Sequence, residues 1–430
     1  MLTHTTNKDT RAIEAILDFQ NRQYLYPLVY EPELPLTKRG EGAQLIERCD
    51  DIIKSTNDNR LYRILELTNK LKVLLISDPM TDKSAAAMDV NIGYLDDPNE
   101  LPGLAHLCQC MLPRESKKYA LNDYSMYISF NKGRSGGSTH MDHTTYYFDI
   151  HTNKLWGALD HFAQFFIEPI LSEDRIEEEV MAIEWEYMNN LQNNVYIYDH
   201  LDNSKDLESV KFKFGLGNKH TLDTVPKQKG INVWERLLEF YEVHYSADIM
   251  SLCVLSKENL NELEKMVVDI FCKIPNKNIQ PQKWNYNLFH QDHCGHTWYT
   301  VPAQNTRALL ITFPISLARF FDTFSEEYKC RPTKYISYFL EREGENTLLT
   351  CLKKLDLCKS IVCGERAKAR GYMFYDIRLN LTENGLKHTE SIIYQVFHHI
   401  WLMQQENSME WIFDVHIIDA TKNINICRGC

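Results

Sequence analysis

Apolar runs alternate with amphipathic stretches along this chain, and this alternation constrains the fold more than any other sequence feature. Strand-like runs cover residues 71–77, 87–92, 145–150 and 249–255. Helix-like stretches cover residues 155–171, 173–202, 233–245 and 258–271. Strands interleaved with helices are typical of a mixed α/β domain. The pattern therefore predicts one such domain over roughly residues 60–275.

A second domain is predicted after a polar, proline-bearing linker at residues 276–282. Beyond the linker, residues 297–301, 308–314 and 372–381 have strand patterns, and residues 383–405 have the pattern of one long amphipathic helix. The predicted organisation is an amino-terminal extension over residues 1–59, the first domain, the linker, and a second domain over residues 283–430.

Composition limits the classes of function. The chain has 430 residues, 44% of them hydrophobic, so it can bury two sizeable cores. Its net charge of −12, with no basic cluster interleaved with aromatics, argues against a nucleic-acid partner. No stretch has the pattern of a secretory signal or a membrane span, so no membrane association is expected. Twelve scattered cysteines favour reduced thiols and a cytoplasmic location, with the Cys427/Cys430 pair interpreted as part of a frayed end.

Residues 103–112 carry the most chemically informative pattern. His106 and Cys110 are four residues apart, so a helix places both on one face with Gln109 beside them, opposite an apolar face. Taken alone, these residues favour an ordinary helix with small buried thiols. Glu179 and Glu186, two helical turns apart, likewise fit an acidic, solvated helix.

A series of blocks changes this interpretation. In order they are residues 62–79, 81–90, 103–106, 117–119, 143–149 and 212–222. The series resembles the amino-terminal half of peptidases of the insulinase (pitrilysin-type, inverzincin) metallopeptidase family, over roughly residues 45–418. The resemblance implies an α/β (α+β) fold of two tandem insulinase-type domains, each a mainly antiparallel sheet with packed helices. The second domain is expected to be truncated at Cys430.

The resemblance also implies a zinc site whose defining motif, H-x-x-E-H, is altered here. His106 matches the first histidine ligand, Cys110 the second and Glu186 the distant glutamate ligand, while Glu179 matches a glutamate that supports the ligands. Gln109 replaces the general base. All three ligand types can bind Zn2+, although the short reach of Cys110 opposes it. Because a carboxamide cannot accept the proton of a bound water, hydrolysis is expected to be impaired.

Peptide binding is the second implied property. Ile361, Val362, Cys363 and Gly364 match the segment where the family adds the amino-terminal end of a substrate as an extra strand. An ordinary edge strand explains these residues equally well. The segment 134–138, with glycines at 136 and 137, stands where the family has side chains beside the scissile bond.

Three functions remain open. The first is a catalytically impaired homologue that binds extended peptides or pairs with a second insulinase-family half or an active relative. The second is an active zinc metalloendopeptidase that cleaves small peptides such as insulin-like substrates. The third is a regulatory or structural subunit without a peptide site.

Overall fold

The chain divides into two compact units, of which the first ends at residue 282 and the second begins at residue 283. The computed structural model describes residues 45–52, 54, 57–191, 214–279, 297–302, 306–316, 332–369 and 372–405. Each unit has its own hydrophobic core.

The first unit combines seven strands with seven helices among its described residues. Its strands are β1 (Leu45–Cys49), β2 (Leu61–Leu67), β3 (Lys72–Ser77), β4 (Lys83–Val90), β5 (Arg134–Thr139), β6 (Thr144–His151) and β7 (Met250–Ser256). Its helices are α1 (Leu104–Met111), α2 (Asp123–Phe130), α3 (Leu155–Ile167), α4 (Ile176–Asn190), α5 (Val225–Lys229), α6 (Val233–His244) and α7 (Leu260–Phe271).

These seven strands form one sheet in the order β1-β2-β3-β7-β4-β6-β5. All neighbouring pairs are antiparallel except β3 and β7, which run parallel. Alternate residues of β3 enter different cores: Val73 and Leu75 lie on one face, and Leu74 and Ile76 on the other. Burial on both faces explains why residues 71–77 form a continuous apolar run without polar alternation.

Helices cover the larger apolar face of the sheet. The side chains of Phe162 and Phe166 on α3 are fully buried and make edge-to-face contacts with the aromatic residues Phe148 and Tyr146 of β6. This packing fixes the end of the sheet that carries β5, and α1 lies against β5 and α4.

The second unit contains a three-stranded antiparallel sheet in the order β8-β10-β9. Its elements are β8 (Ala308–Ser316), α8 (Pro332–Glu341), α9 (Leu348–Lys354), β9 (Cys358–Ala369), β10 (Tyr372–Leu381), α10 (Glu383–Lys387) and α11 (Thr389–Gln405). The fold class predicted from the sequence, mixed α/β with mainly antiparallel sheets, is confirmed.

Two predicted elements are wrong. Residues 297–301 form no strand: Tyr299 and Val301 are more than 90% exposed, and no described strand pairs with this segment. The predicted helix over residues 383–405 is two helices separated at His388. A Cβ atom on Gly385 would lie 1.8 Å from the Leu357 carbonyl oxygen, so the first helix is held against the backbone of another segment before the second begins.

The boundaries of one further helix differ from the prediction. The stretch predicted over residues 173–202 is helical as α4 up to Asn190, and residues 192–202 lie outside the described residues. In the part of the chain that the structure describes, no helix is long and apolar enough to cross a membrane. The eight described cysteines are all free thiols.

Candidate active site

A backbone contact between two glycines sets the start of α1. Gly103 has φ +97° and lies against Gly217, and a Cβ atom on Gly103 would be 2.4 Å from the Gly217 Cα. The buried carboxylate of Asp97 accepts hydrogen bonds from the backbone N–H groups of Gly103 and Ala105, both at 2.7 Å. These bonds satisfy donors that the first turn leaves unpaired and place a negative charge at the positive end of the helix.

The predicted apolar face of α1 is present. Leu104, Leu107, Cys108 and Met111 are at most 1% exposed and belong to the main core of the first unit. On the opposite face, His106 is 7% exposed and Gln109 is 9% exposed. This polar face is therefore also covered, because α4 and β5 lie beside it.

His106 and Glu186 meet, as the sequence predicts. The His106 Nε2 atom lies 3.6 Å from a carboxylate oxygen of Glu186, and the His106 Nδ1 atom lies 2.7 Å from the carbonyl oxygen of Leu216. A carbonyl can only accept, so Nδ1 carries the proton and donates to it. Neutral His106 with its proton on Nδ1 has a lone pair on Nε2, and this lone pair is directed toward Glu186. A histidine that binds a metal ion through Nε2 requires this tautomer.

Cys110 lies one turn further along the same face and is surrounded by carboxylates. Burial, followed by the negative charges of Glu179 and Glu186, raises the pKa of the Cys110 thiol to about 12. A zinc ligand is a thiolate, so a metal ion bound here would have to release the thiol proton.

Glu179 already has a cation as its partner. The Nη2 atom of Arg114 lies 2.7 Å from one carboxylate oxygen of Glu179 and donates to the other at 3.0 Å. The side chain of Glu179 is 3% exposed, whereas that of Glu186 is 48% exposed. The two glutamates of α4 therefore differ in environment although they lie in the same acidic run.

The described donors do not fit a closed three-ligand zinc site. His106 and Glu186 approach each other, but nowhere in the described ranges do three His, Cys, Asp or Glu side chains converge closely enough to hold a metal ion. The side chain of Cys110 is shorter than the histidine it would replace, which accounts for the missing third donor.

Gln109 lies directly against the edge of the sheet. A Cβ atom added to Gly137 of β5 would be 2.8 Å from the Gln109 Nε2 atom, so a side chain at this position would displace the carboxamide. β5 is the last strand of its sheet, and residues 134–136 are exposed. The neutral carboxamide of Gln109 therefore lies beside the edge of β5. In the pattern H-x-x-E-H this position holds the general base.

The segment Ile361–Gly364 lies in β9, at the edge of the sheet of the second unit. Ile361 is buried in the core of that unit, whereas Val362 is 56% exposed. The outward backbone N–H of Cys363 donates to the carboxylate of Glu341 on α8. This edge is thus partly occupied by a side chain of the chain itself.

Sequence reasoning missed four contributors to these two regions: Arg114, Leu216, Gly137 as the neighbour of Gln109, and Glu341. Arg114 had no helical signal, because it lies three residues beyond the end of α1 at Met111. Glu341 had one, since Thr333, Ser337 and Glu341 recur every four residues along α8. The contact of Leu216 with His106 spans 110 residues and leaves no local pattern.

Together, the mixed sheet and the histidine–glutamate pair between α1 and α4 define a metallopeptidase-like α/β protein. Two family models match the chain: "Insulinase (Peptidase family M16)" over residues 72–204 and "Peptidase M16 inactive domain" over residues 234–418. The chain belongs to the insulinase family, peptidase family M16.

Curated relatives support the same assignment. The chain is 42% identical to the insulin-degrading enzyme of Mus musculus over 379 residues, which cover 88% of this chain and 36% of the relative. It is 35% identical to the A-factor-processing enzyme of Saccharomyces cerevisiae, with 85% of this chain and 35% of the relative covered. The chain therefore spans just over a third of the length of these relatives.

Solved structures share the fold. Pitrilysin superposes with a TM-score of 0.77 and 26% identity, covering 86% of this chain and 39% of its own. A protease from Helicobacter pylori superposes with a TM-score of 0.64 over 85% of both chains, and at 14% identity this likeness concerns the fold alone.

Proposed function

We propose that this insulinase-family metallopeptidase homologue is impaired in peptide hydrolysis and acts by binding extended peptides. The observation that carries the proposal is the position of Gln109, whose carboxamide lies on the same covered side of α1 as His106 and against Gly137 of β5. A positioned general base contributes on the order of 10²- to 10⁴-fold in rate, and a carboxamide has no basicity to supply it.

Metal binding in this proposal is weak. His106 and Glu186 offer two donors, but the short Cys110 side chain does not complete the set. Zinc, when bound, would supply Lewis-acid activation of water. His106, in the tautomer with its proton on Nδ1, would then help to hold the zinc ion, and position 109 would supply no general base.

The proposed binding surface is the outer edge of β5, which pairs with no second strand among the described residues. A peptide strand that adds to this edge is held by backbone hydrogen bonds, which tolerate many side chains. Gly136 and Gly137 present no side chain beyond a hydrogen atom, so a peptide backbone can approach closely. Gln109, against Gly137, has donor and acceptor groups that such a backbone can bond.

β9 is the weaker candidate surface. The proposed contact of a peptide with residues 361–364 competes with the bond between Cys363 N–H and Glu341. The 379 aligned residues cover 88% of this chain and 36% of the insulin-degrading enzyme of Mus musculus. We propose a second insulinase-family half or an active relative as a partner of this chain.

Zinc content and peptide cleavage together test the impaired hydrolysis. Purified wild type and the Gln109→Glu/Cys110→His variant are compared for metal stoichiometry and for cleavage of a quenched fluorescent peptide. We expect a wild type with less than stoichiometric zinc and no chelator-sensitive cleavage, and a variant that gains zinc. Wild type with one zinc per chain and chelator-sensitive cleavage would show that the protein is an active peptidase with an unusual ligand set.

Strand addition has its own control. A labelled extended peptide is compared with the same sequence N-methylated at alternate residues, which keeps the side chains and removes backbone donors. We expect fluorescence anisotropy to detect binding of the first peptide and a loss of at least tenfold in affinity for the second. Equal affinity would exclude strand addition, and no binding of either peptide would favour a structural or regulatory subunit.

A further inference from the structure

Two side-chain contacts link α1 and its following turn to α4. His106 lies 3.6 Å from Glu186, and Arg114 forms an ion pair with Glu179 at 2.7 Å. Cys110 lies between His106 and Arg114 in the sequence. Arg114 follows the end of α1, where its backbone N–H donates to the carbonyl of Met111. The ion pair of Arg114 therefore ties the turn after α1 to α4.

Of the two glutamates in these contacts, the partner of Arg114 is the more buried. Glu179 has 3% of its side chain exposed, and a carboxylate removed from water to this extent requires a compensating cation and hydrogen bonds. Arg114 supplies both, since one terminal nitrogen contacts both oxygens of Glu179. Guanidinium stays charged at every pH at which proteins fold, so this compensation is permanent.

We propose that Arg114 is a positioning residue, a resident cation that neutralises Glu179 and fastens the α1 turn to α4, so that the site is assembled without a metal ion. The inference rests on the proposed function, because it explains how the carboxylate-rich site of an impaired homologue stays folded. It also accounts for the incomplete ligand set, because Arg114 already binds Glu179, the carboxylate that the resemblance matches to a ligand-supporting role.

The chain provides a matched control for this pair. Arg175 and Glu178 form a second Arg–Glu pair at 2.8 Å near the start of α4. The arginine side chains at both sites are 40% exposed, but Glu178 is 61% exposed and Glu179 is 3% exposed. Arg114→Met and Arg175→Met thus remove the same group from pairs that differ in the burial of the carboxylate and in sequence separation, which is 65 residues for Arg114–Glu179 and three for Arg175–Glu178.

Thermal unfolding of the full chain is the test. We expect Arg114→Met to lower Tm by about 5 °C, because a buried charge is left without its partner. We expect Arg175→Met to lower it by about 1 °C or less, as for exposed pairs. Arg114→Lys, which keeps the charge, should retain part of the stability. The Tm of the wild type should be unchanged by a chelator and by equimolar zinc.

A double-mutant cycle distinguishes loss of the Arg114–Glu179 pair from general misfolding of the variants. If the pair acts as proposed, Arg114→Met/Glu179→Gln loses less stability than the sum of the two single variants, because the second change removes the unpaired charge. Additive losses, equal losses for Arg114→Met and Arg175→Met, or a wild type destabilised by chelator would each overturn the proposal. Peptide cleavage by the wild type would instead refute the proposed impairment of hydrolysis. The cleavage assay measures this separately from stability.

Discussion

Replacing Gly103 with alanine tests how the fold positions His106. Gly103 has φ +97°, a conformation that costs a residue with a Cβ atom about 1–2 kcal/mol. The added Cβ would lie 2.4 Å from the Gly217 Cα, whereas ordinary van der Waals contact begins at 3.4 Å. The two backbones must therefore separate by about 1 Å, and overpacking of this kind costs about 1–3 kcal/mol.

The expected total for Gly103→Ala is a loss of about 2–5 kcal/mol in the free energy of unfolding. Gly230→Ala is the matched control, since Gly230 has φ +69° but no atom within 4 Å of an added Cβ. It should lose only the conformational part, about 1–2 kcal/mol. At about 2–4 °C per kcal/mol for a unit of this size, Gly103→Ala should melt about 2–12 °C below Gly230→Ala.

Circular dichroism melts of the wild type and both variants measure this difference. The Gly103→Ala substitution should also shift the NMR signals of the His106 ring, because Gly217 adjoins Leu216, whose carbonyl accepts from His106 Nδ1. Equal melting temperatures for the two variants, or an unshifted His106 ring, would refute the argument that the glycine contact holds this histidine.

Two further predictions concern a buried histidine and the β9 edge. Burial lowers the pKa of His161 below its unfolded value of about 6.5, so its contribution to stability is present above that pH and is lost as the pH falls below it. NMR titration should give a His161 midpoint below 6.5, and His161→Phe should flatten the rise of stability as the pH increases toward 6.5; a midpoint of 6.5 or higher would contradict the assignment. Glu341→Ala should free the Cys363 N–H, measured as faster amide exchange, and should strengthen peptide binding at β9, whereas Glu343→Ala, which removes only an exposed pair with Lys353, should do neither. Unchanged amide exchange in Glu341→Ala would show that this carboxylate does not protect the edge.

The amino-acid sequence by itself determined the class of fold and the family to which the chain belongs. The apolar runs that form β3, β6 and β7 predicted strands. Successive side chains of a strand point to opposite faces of its sheet, and a sheet covered on both faces requires apolar residues at every position. The four-residue spacing of His106 and Cys110 similarly placed both on one side of α1. These signals are local, so a single sequence contains them.

The tertiary structure alone decided which strands pair. The glycine-rich segment 134–139 has little strand propensity, yet it is strand β5 because β6 lies beside it. Residues 297–301 have a strand pattern but no described partner, and they form no strand. A strand depends on hydrogen bonds to another segment, and the sequence of the strand does not specify that segment.

The tertiary structure also decided how each polar residue of the site is used. Glu179 and Glu186 have similar surroundings in the sequence, but the first is buried on Arg114 and the second lies partly exposed beside His106. Burial and ion pairing depend on contacts between segments that are tens of residues apart, whereas periodicity depends on adjacent residues; the sequence therefore revealed the helix, and only the fold revealed its partners.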